Sequence, residues 1–248
     1  MTFSKTTLQG RCALLDIEGT LADIRFVYDV MFPYVREHVR SYLESHWDSP
    51  GMRSILTNLA ADASYPPDAA PWNSQATVSD QISAVVACVH SLMDRDSKTT
   101  GLKALQGVVW ESGFRSGALQ AEVFADVVEA LKRWQQAGVD LRIYSSGSIL
   151  AQRLFFGHST EGDLTGYFRK HYDTTSGSKK DASSYLTIAN DIGLPPEQIV
   201  FFTDVYAEIQ AASQAGMQVV ACVRPNNVPL PSDYTGLIIE TFDSIEWK

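Results

Sequence analysis

Cysteine is scarce in this chain: Cys12, Cys88 and Cys222 are the only three among 248 residues. They lie far apart and are odd in number, so neither a disulfide framework nor a zinc-binding spacing follows. Cys12 and Cys222 sit in apolar runs and read as core residues. Basic charge is also short. Lys and Arg number 20 against 29 Asp and Glu, for a net charge of −9, which argues against a nucleic-acid surface. Lys179–Lys180 is the only basic doublet of interest. No apolar run approaches the length of a membrane span, and residues 1–10 lack the apolar centre of a secretion signal. The expectation is a cytoplasmic protein with neither a membrane nor a nucleic-acid partner. G-x-G-x-x-G and G-x-x-x-x-G-K-[ST] phosphate loops are missing, as is a G-x-S-x-G elbow. His38, His46, His90, His158 and His171 show no metal-ligand spacing.

What is present is a rhythm of short apolar runs and helical stripes. Cys12–Leu15, Leu141–Ser145, Ile199–Thr203, Val219–Val223 and Leu237–Ile239 read as strands buried on both faces, with a weaker one near His171–Tyr172. Between them, Val123, Val127, Leu131 and Trp134 repeat at helical spacing before Gly138. So do Ile149 to Phe155 after Ser148, Tyr185 to Ile192 after Asp181, and Val205 to Ala215 before Gly216. Alternating strand and helix predict an α/β fold with a doubly wound, Rossmann-like parallel sheet. Residues 24–120 break the rhythm. They hold helical stripes at Val35–Leu43, Ile82–Met93 and Leu102–Gly113, and a Pro-rich loop from Tyr65 to Trp72, but no convincing strand. This predicts an all-helical cap domain (24–120) inserted into a core domain formed by 1–23 and 121–248.

The ends of the strands carry the chemistry. Asp16 and Glu18 are two apart after an apolar strand, so an extended chain points both the same way. Open parallel sheets bind ligands at that edge. The same edge receives Ser145, Ser146, Asp204 and Glu208, with Lys179 ahead of the helix that feeds Ile199–Thr203. Individually these have plainer uses: Ser145, Ser146 and Asp204 as helix caps, Lys179 as a solvated surface lysine. Together they suit phosphoryl transfer through an aspartyl-phosphate. Asp16 would be the nucleophile, with Asp16 and Asp204 holding a magnesium ion. Ser145, the Ser146 amide and Lys179 would take the phosphoryl oxygens. Glu18 would act as acid and then base, and Glu208 would stand behind the metal or bind its water.

These placed motifs resemble the haloacid dehalogenase superfamily of phosphohydrolases. Asp16–Ile17–Glu18–Gly19–Thr20 has Glu where most of that superfamily has Asp, and looks like the enolase-phosphatases of methionine salvage. Phe32–Pro33–Tyr34, Lys103–Ala104–Leu105–Gln106–Gly107, Tyr144–Ser145–Ser146–Gly147–Ser148 and Val223–Arg224–Pro225 support the likeness, and Phe156 to Leu164 is its most specific stretch. The resemblance runs from about Ala13 to Asn226. It implies a haloacid dehalogenase-type core with a helical cap. It implies conversion of a diketo methylthiopentyl phosphate to its enol phosphate and then to an acireductone. It also implies one Mg2+ per chain and a monomer. It places the metal on Asp16, Glu18 and Asp204, and the substrate on Ser145, Ser146 and Lys179; the enolising base stays open between Glu18 and a cap residue. The chain departs from the pattern at Leu21–Ala22–Asp23, Tyr28 and Glu129, and Asn226–Asn227 stands near a usual Gly-Asn. A capped phosphatase for another small phosphorylated metabolite is the alternative. A phospho-accepting module like the response-regulator receivers is a third reading.

Overall fold

The computed structural model describes residues 5–65, 70–73 and 75–248. The chain divides into two compact units, Met1–Val27 with Gln120–Lys248, and Tyr28–Leu119.

The first unit is built on a six-stranded sheet. Its strands are β2 (Cys12–Leu15), β3 (Asp140–Tyr144), β4 (Lys170–Tyr172), β5 (Ile199–Thr203), β6 (Gln218–Cys222) and β7 (Leu237–Ile239), in the order β4-β3-β2-β5-β6-β7. All five pairings are parallel. Four helices cross between strands: α5 (Val127–Gln136), α6 (Ile149–Gly157), α7 (Ala182–Ile192) and α8 (Tyr206–Gln214). The chain winds outward from β2 to β4, then returns to β5 on the other side of β2. The topological switch therefore lies between β2 and β5, where doubly wound sheets bind ligands.

Strand alternation explains the two-sided core. Phe201 packs on Tyr144 and Tyr185, in a cluster with Ile188 of α7 and Ala212 of α8. Its neighbour Phe202 faces the other way, against Trp134 of α5, Phe242 and Trp247. β3 and β6 each begin and end one residue earlier than the apolar runs suggest, because the parallel ladder starts at Asp140 and Gln218. The stripe from Val123 also starts too early. α5 begins at Val127, since the Phe124 amide bonds the Leu21 carbonyl and Asp126 is occupied by Arg224 and the Phe242 amide. A separate parallel pair, β1 (Thr6–Leu8) with β8 (Ile245–Trp247), has no signal in the apolar pattern.

The second unit contains α1 (Phe32–His46), α2 (Met52–Asp62), α3 (Val78–Asp94) and α4 (Thr100–Ser116), and no strand among the described residues. α2 was not foreseen: its buried positions, Met52, Leu59 and Ala60, make too thin a stripe. α2 and α4 meet at Gly101, where a Cβ would lie 2.3 Å from the Leu59 amide nitrogen. Asp62 of α2 caps α4 through the Leu102 amide at 2.8 Å. Of the loop expected between Tyr65 and Trp72, Pro66–Pro67 lies outside the described residues, and Pro71–Asn73 form a single 3-10 turn. No helix among the described residues is long and apolar enough to cross a membrane.

Candidate active site

The site is assembled at the switch point, entirely within the α/β unit. After β2 the chain turns so tightly that the amides of Thr20, Leu21 and Ala22 all point at the Ile17 carbonyl. Gly19 makes the turn at φ +70°, and a Cβ there would come within 2.4 Å of Asp204 Oδ2. Glycine is required twice over, for conformation and for space.

Asp16 is 3% exposed. Its Oδ1 accepts from its neighbour's amide at 2.9 Å and from Lys179 Nζ at 2.6 Å. The lysine also reaches Glu208 Oε2 at 2.8 Å and stands 5.7 and 5.8 Å from the Tyr144 and Phe201 ring centres. Tyr185 holds the lysine's backbone by donating to its carbonyl at 2.6 Å. Burial alone would pull the Lys179 ammonium towards neutrality, but Asp16 and Glu208 more than reverse that, so its pKa is raised. Sequence reasoning set Glu208 behind the metal. Here it is a partner of Lys179 and of the Thr203 hydroxyl, which donates to it at 2.8 Å.

Glu18 turns its carboxylate to Ser145, whose hydroxyl donates at 2.9 Å. Ser145 Oγ in turn accepts from the Gly147 amide at 3.1 Å. Ser146 is exposed at the same loop. Gln152, missed in the sequence, pins this loop. Its Nε2 donates to the Gly147 and Tyr172 carbonyls at 2.8 and 2.9 Å, while its Oε1 faces His171 Nδ1 at 3.0 Å. Two carbonyls and one carboxamide oxygen fix the proton of His171 on Nδ1. A buried glutamine six residues beyond an expected phosphate loop was the only available signal.

Four acids thus surround one ammonium. Loss of water and the Asp16 charge raise the pKa of Glu18, and push those of Asp204 and Glu208 up to about 7. Among the described residues no three His, Cys, Asp or Glu side chains gather as a metal cluster, and the Glu18 carboxylate accepts from Ser145. Yet Asp204 Oδ1 is buried with no hydrogen-bond partner, and Asp16 Oδ2 has only the Thr203 hydroxyl at 3.4 Å. An excess of acid with open oxygens on two carboxylates suits a hard divalent cation that keeps most of its waters. Asp16 and Asp204 fit that group; the Glu18 side chain, as placed, does not join them.

The profile of the haloacid dehalogenase-like hydrolases matches residues 11–216, and the chain belongs to that family. Enolase-phosphatase E1 of Persephonella marina is 38% identical over 95% of this chain and 98% of its own length. That of Xenopus tropicalis is 45% identical over 89% and 87%. A probable bifunctional methylthioribulose-1-phosphate dehydratase/enolase-phosphatase E1 of Oryza sativa is 42% identical over 94% of this chain, which spans only 46% of that protein. At these identities the chain is an enzyme of the enolase-phosphatase group within the hydrolases. Among solved structures, the UTR4 protein of Saccharomyces cerevisiae superposes with a TM-score of 0.78 at 30% identity, covering 94% of this chain and 99% of that one. CbbY of Rhodobacter sphaeroides, at 14% identity and a TM-score of 0.55, shares the fold.

Proposed function

We propose that the chain is a magnesium-dependent enolase-phosphatase that converts a diketo methylthiopentyl phosphate through its enol phosphate to an acireductone and phosphate. The observation that carries the reading is the pairing of Asp16 Oδ1 with Lys179 Nζ at 2.6 Å beside the orphaned Asp204 oxygen at the sheet's switch point. Asp16 is the nucleophile and forms the aspartyl-phosphate. Lys179 neutralises both Asp16 and the incoming phosphoryl oxygens, and Ser145 with the Ser146 amide donates to the remaining ones. Glu18, whose raised pKa favours the protonated form, gives its proton to the leaving oxygen and later takes one from water. Asp16 and Asp204 would hold the magnesium ion, which would supply charge neutralisation for both the enolising and the phosphoryl-transfer steps. Residues 24–120 are assigned the cap, and the enzyme is assigned as a monomer acting on a small metabolite.

Phosphate release and enol absorbance, followed together on the diketo phosphate with and without Mg2+, test this. The expected result is an enol signal that rises before phosphate, and neither signal in a chelator. Phosphate from many esters without any enol signal would instead favour a phosphatase for another metabolite, in keeping with Leu21–Ala22–Asp23 and Tyr28.

A further inference from the structure

Asn227 lies in the turn after β6, outside every role assigned so far. Its amide nitrogen donates to the Gly19 carbonyl at 2.9 Å and to the Cys222 carbonyl at 3.2 Å. Two carbonyl acceptors leave no freedom to flip the amide, so Oδ1 must point the other way. That oxygen is buried and has no hydrogen-bond partner, as is Asp204 Oδ1. The two side chains share one place: a Cβ on Gly19 would lie 2.4 Å from Asp204 Oδ2 and 2.8 Å from Asn227 Oδ1. The Asn227 oxygen and the Asp204 carboxylate therefore lie on the same side of the Gly19 turn, and a buried acceptor left without a donor is costly. A water on a cation held by the carboxylates would supply that donor.

Resting on the magnesium reading above, we propose that Asn227 is part of the cation site. Its side-chain oxygen accepts a hydrogen bond from a water on the ion held by Asp16 and Asp204, while its NH2 group locks the Gly19 turn. Partners of this kind orient and tighten a metal site without touching the metal.

The test is calorimetric titration of the full chain with Mg2+ alone, with no substrate, for the wild type, Asn227→Leu and Asn227→Asp. Leucine removes the acceptor, whereas aspartate keeps an acceptor oxygen and exchanges the NH2 donor for a charged carboxylate oxygen. The expected result is that Asn227→Leu weakens Mg2+ binding by about 10- to 100-fold and Asn227→Asp holds it within about threefold or tightens it. Melting with and without Mg2+ should show the same split in the metal-induced rise. Equal weakening by both variants would mean that the amide acts only on the turn, and would overturn the proposal, as would unchanged binding in Asn227→Leu. Should the leucine variant not fold, a tenfold loss in Asn227→Asp alone overturns it. A wild type that takes up no Mg2+ and still releases phosphate in chelator would bring down the magnesium reading itself, a result distinct from all of these.

Discussion

The two units of this chain both bury apolar cores but differ in the polar side chains they bury. In the α/β unit Asp16, Ser145, Gln152, His171, Lys179, Thr203, Glu208 and Arg224 are all buried, whereas Gln106 is the one buried polar side chain among the described residues of the helical unit. Taking charge out of water costs several kcal/mol per ion unless partners return it. A fold meets that cost where the charge has work to do or where a rigid joint is needed. Arg224 is such a joint, lying between the Phe124 and Phe242 rings at 4.7 Å from each while it binds Asp126 and the Thr20 carbonyl. The helical unit relies on close backbone approach instead, as at Gly101 against Leu59.

The largest effect is expected at Asp16. Asp16→Asn should lower phosphate release on the order of 10⁴-fold or more, since its nucleophile is gone, while the protein still melts cooperatively. Steady-state phosphate assays check this, and full turnover would remove the assignment. Next is Lys179→Met. It leaves Asp16, Glu208 and Asp204 uncompensated, so denaturant titration should show a loss of about 3–5 kcal/mol at neutral pH, much of which is regained under mild acid as Glu208 and Asp204, already pushed up to about 7, protonate.

A change of packing in the other unit should act on stability alone. Gly101→Ala sets a methyl group against the α2 backbone and should cost about 1–3 kcal/mol, with kcat in the surviving folded fraction little altered. A loss of kcat without loss of stability would contradict the division. The smallest effect is one of pH. Burial lowers the pKa of His171 from 6.5 to about 4. Between those values the unfolded chain binds a proton that the folded one does not, so stability falls as pH drops from about 6.5 to about 4. His171→Asn should flatten that part of the stability profile relative to wild type. An equal loss of unfolding free energy from pH 7 to pH 5 in wild type and variant, measured by urea titration, would refute it.

β2 and β5 were legible because they are buried on both faces and therefore apolar throughout, save for Thr203 at the end of β5. Asp16, Ser145 and Asp204 were legible because strand ends in such a sheet converge. The pairing of β1 with β8 was not, since its three-residue strands pair across almost the whole chain and carry no periodic signal. Nor were the partners of Glu208, or Gln152 and Asn227. Their roles depend on which carbonyls come to face their amides, and that is settled by the turns at Gly19 and Gly147 rather than by any spacing in the sequence.

The most direct test of the central claim is a rapid-quench experiment with the phosphorylated substrate, in which borohydride reduces any acyl phosphate and the peptide containing Asp16 is weighed by mass spectrometry. Homoserine is expected at position 16, appearing during turnover and absent from Asp16→Asn. Phosphate released while Asp16 stays unmodified at every quench time would contradict it.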